Sequence, residues 1–232
     1  MRTLRIPNEH LVYLAKQLFG KPQRLNDSKF CPNTSSTGTI CGAALDSRDL
    51  HIRTCKMTSI HHQNHAAIQH WFEDLARQAH IQTTPAPPIS DVSEQTPTKQ
   101  VAADLMLIDV SLREATKDGD NVALDFSMVT SAAMTYCGKS STTPLHAAGL
   151  REKAKIQKYA DAYKVKHNIH FIPVVFKSGG VFGEKTQDVV REICNLITQT
   201  SGQSGSAIAY FWKSRLLVTL AAITYRNVQC WS

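Results

Sequence analysis

Apolar residues recur along this chain with two periods. Over residues 65–80, Ile68, Trp71, Phe72, Leu75 and Ala76 stand three and four apart, the spacing of one helix face. Over residues 121–129 the pattern alternates. Val122, Leu124, Phe126 and Met128 share one side of a predicted strand, while Ala123, Asp125 and Ser127 share the other. A second strand is predicted over 104–110, headed by Asp104, and the glycine and aspartates of 117–121 suit a hairpin turn that makes the two antiparallel. Residues 145–166 read as a long helix. Residues 170–176 read as a strand that Pro173 confines to an edge or a bulge, because proline donates nothing to a ladder. Helices are also expected over 7–18, ended by Gly20 and Pro22, over 184–197, and over 207–226.

A short strand over 81–84 completes the order αβββαβ, a mixed α/β (α+β) core followed by C-terminal helices. The stretch 83–99 carries four prolines and few large apolar residues, which marks a loop. With the 65–80 helix inside the core, that loop is internal. The chain then divides into an N-terminal module, 1–62, and a core, 63–232.

Composition bounds the partners. At 232 residues with 42% hydrophobic content the chain can bury one good core and a smaller module. A net charge of +7 points to an anionic partner, nucleic acid first. No continuous apolar run approaches the roughly 18 residues of a bilayer span, and the one over 216–223 follows Lys213 and Arg215, so it reads as a core helix and no membrane partner is expected. The basic residues of 1–24 resemble a mitochondrial presequence, but Leu11, Leu14, Ala15 and Leu18 make an ordinary amphipathic helix, the preferred reading. A nuclear location is expected, a mitochondrial one second.

Two candidate sites emerge. An acid in an apolar strand is costly unless it is paired, solvated or bound to a cation; Asp104 and Asp125 both stand in that position, and Asp125 has small neighbours on its face. Together they read as a metal site. Separately, Cys31, Cys41, His51 and Cys55 form a C-x9-C-x9-H-x3-C series whose thiolates and imidazole suit zinc, four ligands closing a structural site. The first spacing is long, so 33–39 is read as an inserted loop; His61, His62 and His65 are alternative ligands. Without a secretory signal, six cysteines argue for metal or reduced thiols. Glu73 is a solvated helix acid or an additional metal-site acid. The glycine-rich turn over 177–183 matches neither a phosphate loop nor a dinucleotide fingerprint.

The acid-led strand at Ala103-Asp104, the Ala123-Leu124-Asp125-Phe126-Ser127-Met128-Val129-Thr130-Ser131 strand, the Glu152 to Lys155 helix start and the Phe171-Ile172-Pro173-Val174-Val175 strand with Gly179, Gly180, Gly183 and Glu184 occur in a fixed order. With the Cys31-Pro32, Cys41-Gly42, His51, Cys55 cluster and Asn64-His65, that order resembles the restriction-like endonuclease of the PD-(D/E)XK fold found in the C-terminal part of non-LTR retrotransposon reverse-transcriptase proteins. The resemblance spans about residues 8–226. It implies an Mg²⁺-dependent endonuclease that nicks DNA so that the 3′ end primes reverse transcription, a zinc knuckle that helps hold nucleic acid, and a reverse transcriptase domain or a larger ribonucleoprotein as partner.

The resemblance assigns Asp104 and Asp125 to Mg²⁺ and Asp104, Asp125, Glu152 and Lys155 to catalysis. The fold's lysine ordinarily lies two residues after the strand acid, where this chain has Ser127; Lys155 on the following helix is the best substitute and Lys153 the second. Arg151, Lys153 and Lys158 would bind nucleic acid, DNA first and RNA second. The chain departs from the pattern at Ala102-Ala103, where Arg-Pro is usual, and at Asn64, where a basic residue is common. It has no room for a reverse transcriptase, so it is expected to be a terminal piece of a longer element or a nuclease module standing alone. The alternative is a retired nuclease kept as a nucleic-acid-binding or scaffold subunit.

Overall fold

The computed structural model describes residues 12, 29–35, 37–45, 51, 55, 57, 60–90, 100–108, 110, 112, 121–130, 135–140, 142–177 and 180–229. The helix expected over 7–18 and the turn over 117–121 fall outside them, apart from single positions. By contacts the chain forms two units, Met1–Ile68 with Lys213–Ser232, and Gln69–Trp212.

The second unit is built on a four-stranded mixed sheet. Its strands are β1 (Gln82–Thr84), β4 (Leu105–Ile108), β5 (Val122–Val129) and β6 (His170–Lys177), side by side in the order β1-β4-β5-β6. β4 runs antiparallel to both β1 and β5, as the hairpin reading requires, and β5 and β6 are parallel, with Asp125 opposite Pro173. β6 is an outer strand, the place where proline costs the ladder least. Its outward backbone is nonetheless engaged: Thr186 Oγ1 accepts from Val175 N–H (2.7 Å) and donates to Val175 C=O (3.1 Å). The proline-rich stretch is not wholly loop. β2 (Ile89–Ser90) and β3 (Gln100–Val101) pair antiparallel as a separate two-stranded ladder.

Helices cover both faces of the sheet. On the Leu124 and Phe126 face lies the later part of α1 (Ile60–Gln78), where Phe72 meets Phe126 at 5.5 Å between ring centroids and Trp71 meets Phe176 at 6.2 Å. The Trp71 indole donates to the Trp212 carbonyl (2.7 Å), and the Trp212 indole to Gln78 (2.7 Å), so both buried tryptophans keep polar partners. After the short α2 (Cys137–Ser140), the opposite face is covered by α3 (His146–His167). Its alanines, lysines, glutamate and glutamine are strong helix formers. Asn168 ends it in the left-handed conformation, φ 53°, with basic residues in the last turn facing the negative end of the helix dipole. Tyr159, Tyr163, Ala123 and Ile169 form one buried cluster beneath it, and Ala147, Ala148, Val129 and Val175 another.

α4 (Glu184–Ser201) follows β6, and Gly202, φ 67°, turns the chain toward α5 (Gly205–Gln229). α5 covers the helix expected over 207–226. A regular helix joins Ile208 and Tyr210 to Trp212 with the apolar run that begins at Leu216, and Gly205–Ile223 is long and apolar enough to cross a membrane by length and composition, with mean hydropathy 1.2. That stretch contains Lys213 and Arg215.

In the first unit, residues 29–45 form a hairpin. Phe30 pairs with Ala44 and Thr34 with Ile40, and Cys41 N–H donates to Asn33 C=O at 2.7 Å. Gly38 supplies the left-handed residue, φ 80°, that a short hairpin loop needs. The stretch read as an inserted loop over 33–39 therefore contributes a bridge, Thr34 to Ile40, to this hairpin.

Candidate active site and metal centre

Asp125 stands in the middle of β5 with its side chain toward α3, because the period of two that buries Leu124 and Phe126 on one face turns Asp125 and Ser127 to the other. Lys155, in the third turn of α3, reaches down and forms an ion pair with Asp125 Oδ2. Both side chains are largely buried. One helical turn earlier, Arg151 Nε lies 3.4 Å from Ser127 Oγ. Ser127 is thus a hydroxyl under an arginine, and an ammonium reaches Asp125 from the helix.

Asp104 joins this group from the start of β4. Its N–H donates to Leu124 C=O (2.9 Å), and its Oδ2 accepts from Phe126 N–H (2.6 Å), which sets the carboxylate beside the backbone of the residue after Asp125. Burial pushes the Asp125 carboxyl above the ordinary aspartate range, and the neighbouring charge of Asp104 pushes the same way, against the opposing pull of Lys155 and Arg151. Two carboxylates, one half-exposed and one buried, therefore stand together with a lysine and an arginine. Such a set can hold a hard divalent cation through oxygen and neutralise charge on a phosphodiester.

Glu152 has different partners. Three residues before Lys155, it accepts a hydrogen bond from Lys185 N–H (3.1 Å) in the first turn of α4, a helix whose N-cap residue, Gly183, has no side chain to offer. A Cβ on Gly183 would overlap Glu152 Oε1, so glycine there makes room for the carboxylate. Burial raises the Glu152 carboxyl, offset in part by the Lys185 hydrogen bond. Lys153 and Lys158 are exposed on α3, and Lys158 Nζ lies 5.0 Å from the centre of the Tyr159 ring. Glu73 pairs within its own helix, accepting from Gln69 (3.1 Å) and meeting His70 Nδ1 (3.2 Å).

The four sulfur and nitrogen groups picked out by their spacing do converge. The ligand atoms of Cys31, Cys41, His51 and Cys55 all lie within 4.8 Å of one another. Cys31 Sγ and Cys55 Sγ are 3.7 Å apart, and Cys41 Sγ is 3.3 Å from His51 Nε2. A tetrahedral zinc with Zn–S of about 2.3 Å separates its sulfurs by about 3.8 Å, so the donor set and its dimensions fit one such ion. The hairpin explains the geometry: Cys31 bonds to Ala43 (2.8 Å) and Cys41 to Asn33 (2.7 Å), and this register puts both cysteines on one face. Among the described residues His62 and His65 lie outside the cluster, and the His61 side chain is not described.

The thiols respond to their burial. Desolvation pushes Cys31 up to about 12, while for Cys55 the opposing hydrogen bonds, led by the Asn33 side chain, outweigh burial and bring the thiol below its usual value.

Sequence reasoning did not find Tyr159 and Tyr163, whose rings line the helix face that carries Lys155. Their spacing from Lys155, four and eight residues, was the available signal. No protein-family model matches this chain, and no curated protein is similar enough in sequence to count as a relative.

Proposed function

We propose that the protein is a metal-dependent endonuclease of the PD-(D/E)XK type that hydrolyses a DNA phosphodiester, with Asp104 and Asp125 as Mg²⁺ ligands and Lys155 as the residue beside the attacking water. The observation that carries this reading is the ion pair between Lys155 and Asp125. With Ser127 in the usual lysine position, the reading requires a lysine from the helix to stand against the strand acid, and Lys155 does. The strand order, with an antiparallel β1-β4-β5 set and a parallel β6, is compatible with that fold.

Mg²⁺ held by the two carboxylates would neutralise charge on the phosphate and favour ionisation of water. The chain's own groups divide the remaining work. Asp125 holds the Lys155 ammonium at the site, where it orients the attacking water as a hydrogen-bond donor and adds positive charge beside the phosphate. Arg151, over Ser127, faces the incoming phosphate, and exposed Lys153 and Lys158 extend the positive track along α3. Glu152 serves this chemistry by fixing α4 against α3. The cluster of Cys31, Cys41, His51 and Cys55 holds a structural zinc with no open position.

One observation favours the second reading, a retired nuclease that only binds nucleic acid. Asp125 is 6% exposed, and its charge is already met by Lys155. Supercoiled plasmid incubated with Mg²⁺ and the wild-type protein or Asp125→Ala separates the two. Nicking by the wild type alone supports the enzyme. Intact plasmid with folded wild-type protein overturns it in favour of the binding role, and equal cutting by both proteins overturns the site.

A further inference from the structure

Lys155, Tyr159 and Tyr163 follow one another at intervals of four along α3 and make a single stripe against the sheet. Lys155 meets Asp125, and its Nζ lies 5.3 Å from the centre of the Tyr159 ring. Tyr163, fully buried at 0% exposure, ends the stripe with a hydroxyl that has two partners. It accepts from Ala103 N–H at 2.6 Å and donates to Pro87 C=O at 3.1 Å. The ring is stacked on Phe171, 5.7 Å between centroids and 11° between planes, so the hydroxyl has a fixed place.

Ala103 immediately precedes Asp104 and lies outside the ladder, which begins at Leu105 opposite Leu124. A buried N–H outside a ladder needs a partner, and Tyr163 is that partner. The next N–H, of Asp104 itself, is bonded to Leu124 C=O. The peptide that carries the Asp104 carboxylate is therefore held on one side by β5 and on the other by α3.

We infer that Tyr163 is a positioning residue for Asp104: its hydroxyl fixes the Ala103 peptide so that the Asp104 carboxylate stands with Asp125 as one cation site. One helix face then sets both acids, Asp125 through Lys155 and Asp104 through Tyr163. The inference rests on the reading of the two acids as a metal site. A cation site held by two strands needs such a device, since displacement of one ligand by about 1 Å is enough to weaken binding severely.

The test is Mn²⁺ binding to the zinc-loaded full chain, followed by calorimetry and by the paramagnetic resonance of free Mn²⁺. Tyr163→Phe is expected to weaken Mn²⁺ binding about tenfold or more, the usual effect of losing a group that orients a ligand. Ala103→Pro removes the N–H that needs the hydroxyl, so adding it to Tyr163→Phe is expected to restore affinity to within about threefold of wild type.

Ile169→Val, in the same buried cluster as Tyr163, controls for stability alone. It is expected to lower the melting temperature and leave Mn²⁺ affinity unchanged. This comparison stands even where the proline variant does not fold. Wild-type affinity in Tyr163→Phe overturns the inference, as does equal weakening by Ile169→Val. Mn²⁺ binding by a wild type that never nicks DNA overturns the nuclease reading and leaves the role of Tyr163 to be decided by the variants. Absence of Mn²⁺ binding by the wild type overturns both.

Discussion

Lys155 of α3 and Asp125 of β5 form an ion pair in which both side chains are largely withdrawn from water. Breaking a buried pair from one side leaves a charge without a partner, at a cost of about 3–5 kcal/mol. Lys155→Ala is therefore expected to destabilise the second unit by roughly 3 kcal/mol. Replacing both groups, by Lys155→Met with Asp125→Asn, is expected to recover most of that loss. Urea denaturation of wild type, Lys155→Ala and the double variant measures it, and a double variant no more stable than Lys155→Ala contradicts the coupling. On the proposed function, Lys155→Ala and Asp125→Ala each lose nicking by about 100-fold or more, the scale of a charged group positioned at the reacting centre, and the double variant stays inactive although it is stable.

The cluster of Cys31, Cys41, His51 and Cys55, read as a zinc site, gives a prediction about a residue that is not among its four donors. Asn33, buried at the hairpin, places its side chain so as to favour the ionised form of the Cys55 thiol. Groups that orient a metal-bound ligand typically contribute 10–100-fold in affinity, so Asn33→Ala is expected to weaken zinc by about that factor. Cys55→Ser is expected to abolish stoichiometric zinc. Competition with a chromophoric chelator measures both. Equal zinc affinity in Asn33→Ala and wild type contradicts the role of Asn33.

What the sequence made legible follows the reach of its periodicities. Alternation placed Asp125 and Ser127 on one face of β5, and the H-x3-C step with two upstream cysteines marked the group of four donors that converges in the first unit. Both depend on local spacing. The C-x9-C interval looked like an insertion because no local signal shows that Thr34 faces Ile40 across a hairpin. β2 and β3 contribute two residues each, too few to show any period. The partners of Glu152 and Tyr163 are 33 and 60 residues away in the chain, a separation that only folding closes. Glu152 and Lys155 stand three apart on one helix, yet each turns to a different neighbour.

Glu152 carries a pH signature. Burial raises its carboxyl above the value of about 4.5 it has when exposed, so the folded chain holds the proton more tightly than the unfolded one. Its contribution to stability is fully present below pH 4.5 and is lost as pH rises through the raised folded value. Glu152→Gln keeps an oxygen that can accept from Lys185 N–H and does not titrate. The variant is therefore expected to match wild type least closely at neutral pH, where it is the more stable of the two, with the difference closing below pH 4.5. Melting temperatures from pH 4 to 8 test this. A difference independent of pH contradicts the burial argument, and a variant less stable at neutral pH shows that the charge of Glu152 at the start of α4 outweighs its desolvation.

Arg151, Lys153 and Lys158 are exposed within two turns of α3, around the point where Lys155 descends to Asp125. If they meet the backbone of a DNA duplex, each neutralises about one phosphate, and binding should respond to salt in proportion. The logarithm of affinity falls against the logarithm of salt with a slope of about 0.9 for each phosphate neutralised. Changing all three to glutamine is therefore expected to reduce the slope by about 2–3 and to weaken binding by a similar factor across unrelated sequences. Lys213→Gln, on α5, changes net charge by one at a position outside α3 and separates a local track from general attraction to a basic protein. Fluorescence anisotropy with a labelled duplex between about 50 and 200 mM salt covers the range in which such slopes are resolved. A slope that falls no further in the triple variant than total charge dictates, judged from Lys213→Gln, would place the DNA elsewhere on the molecule, and α3 would then present its lysines to solvent alone.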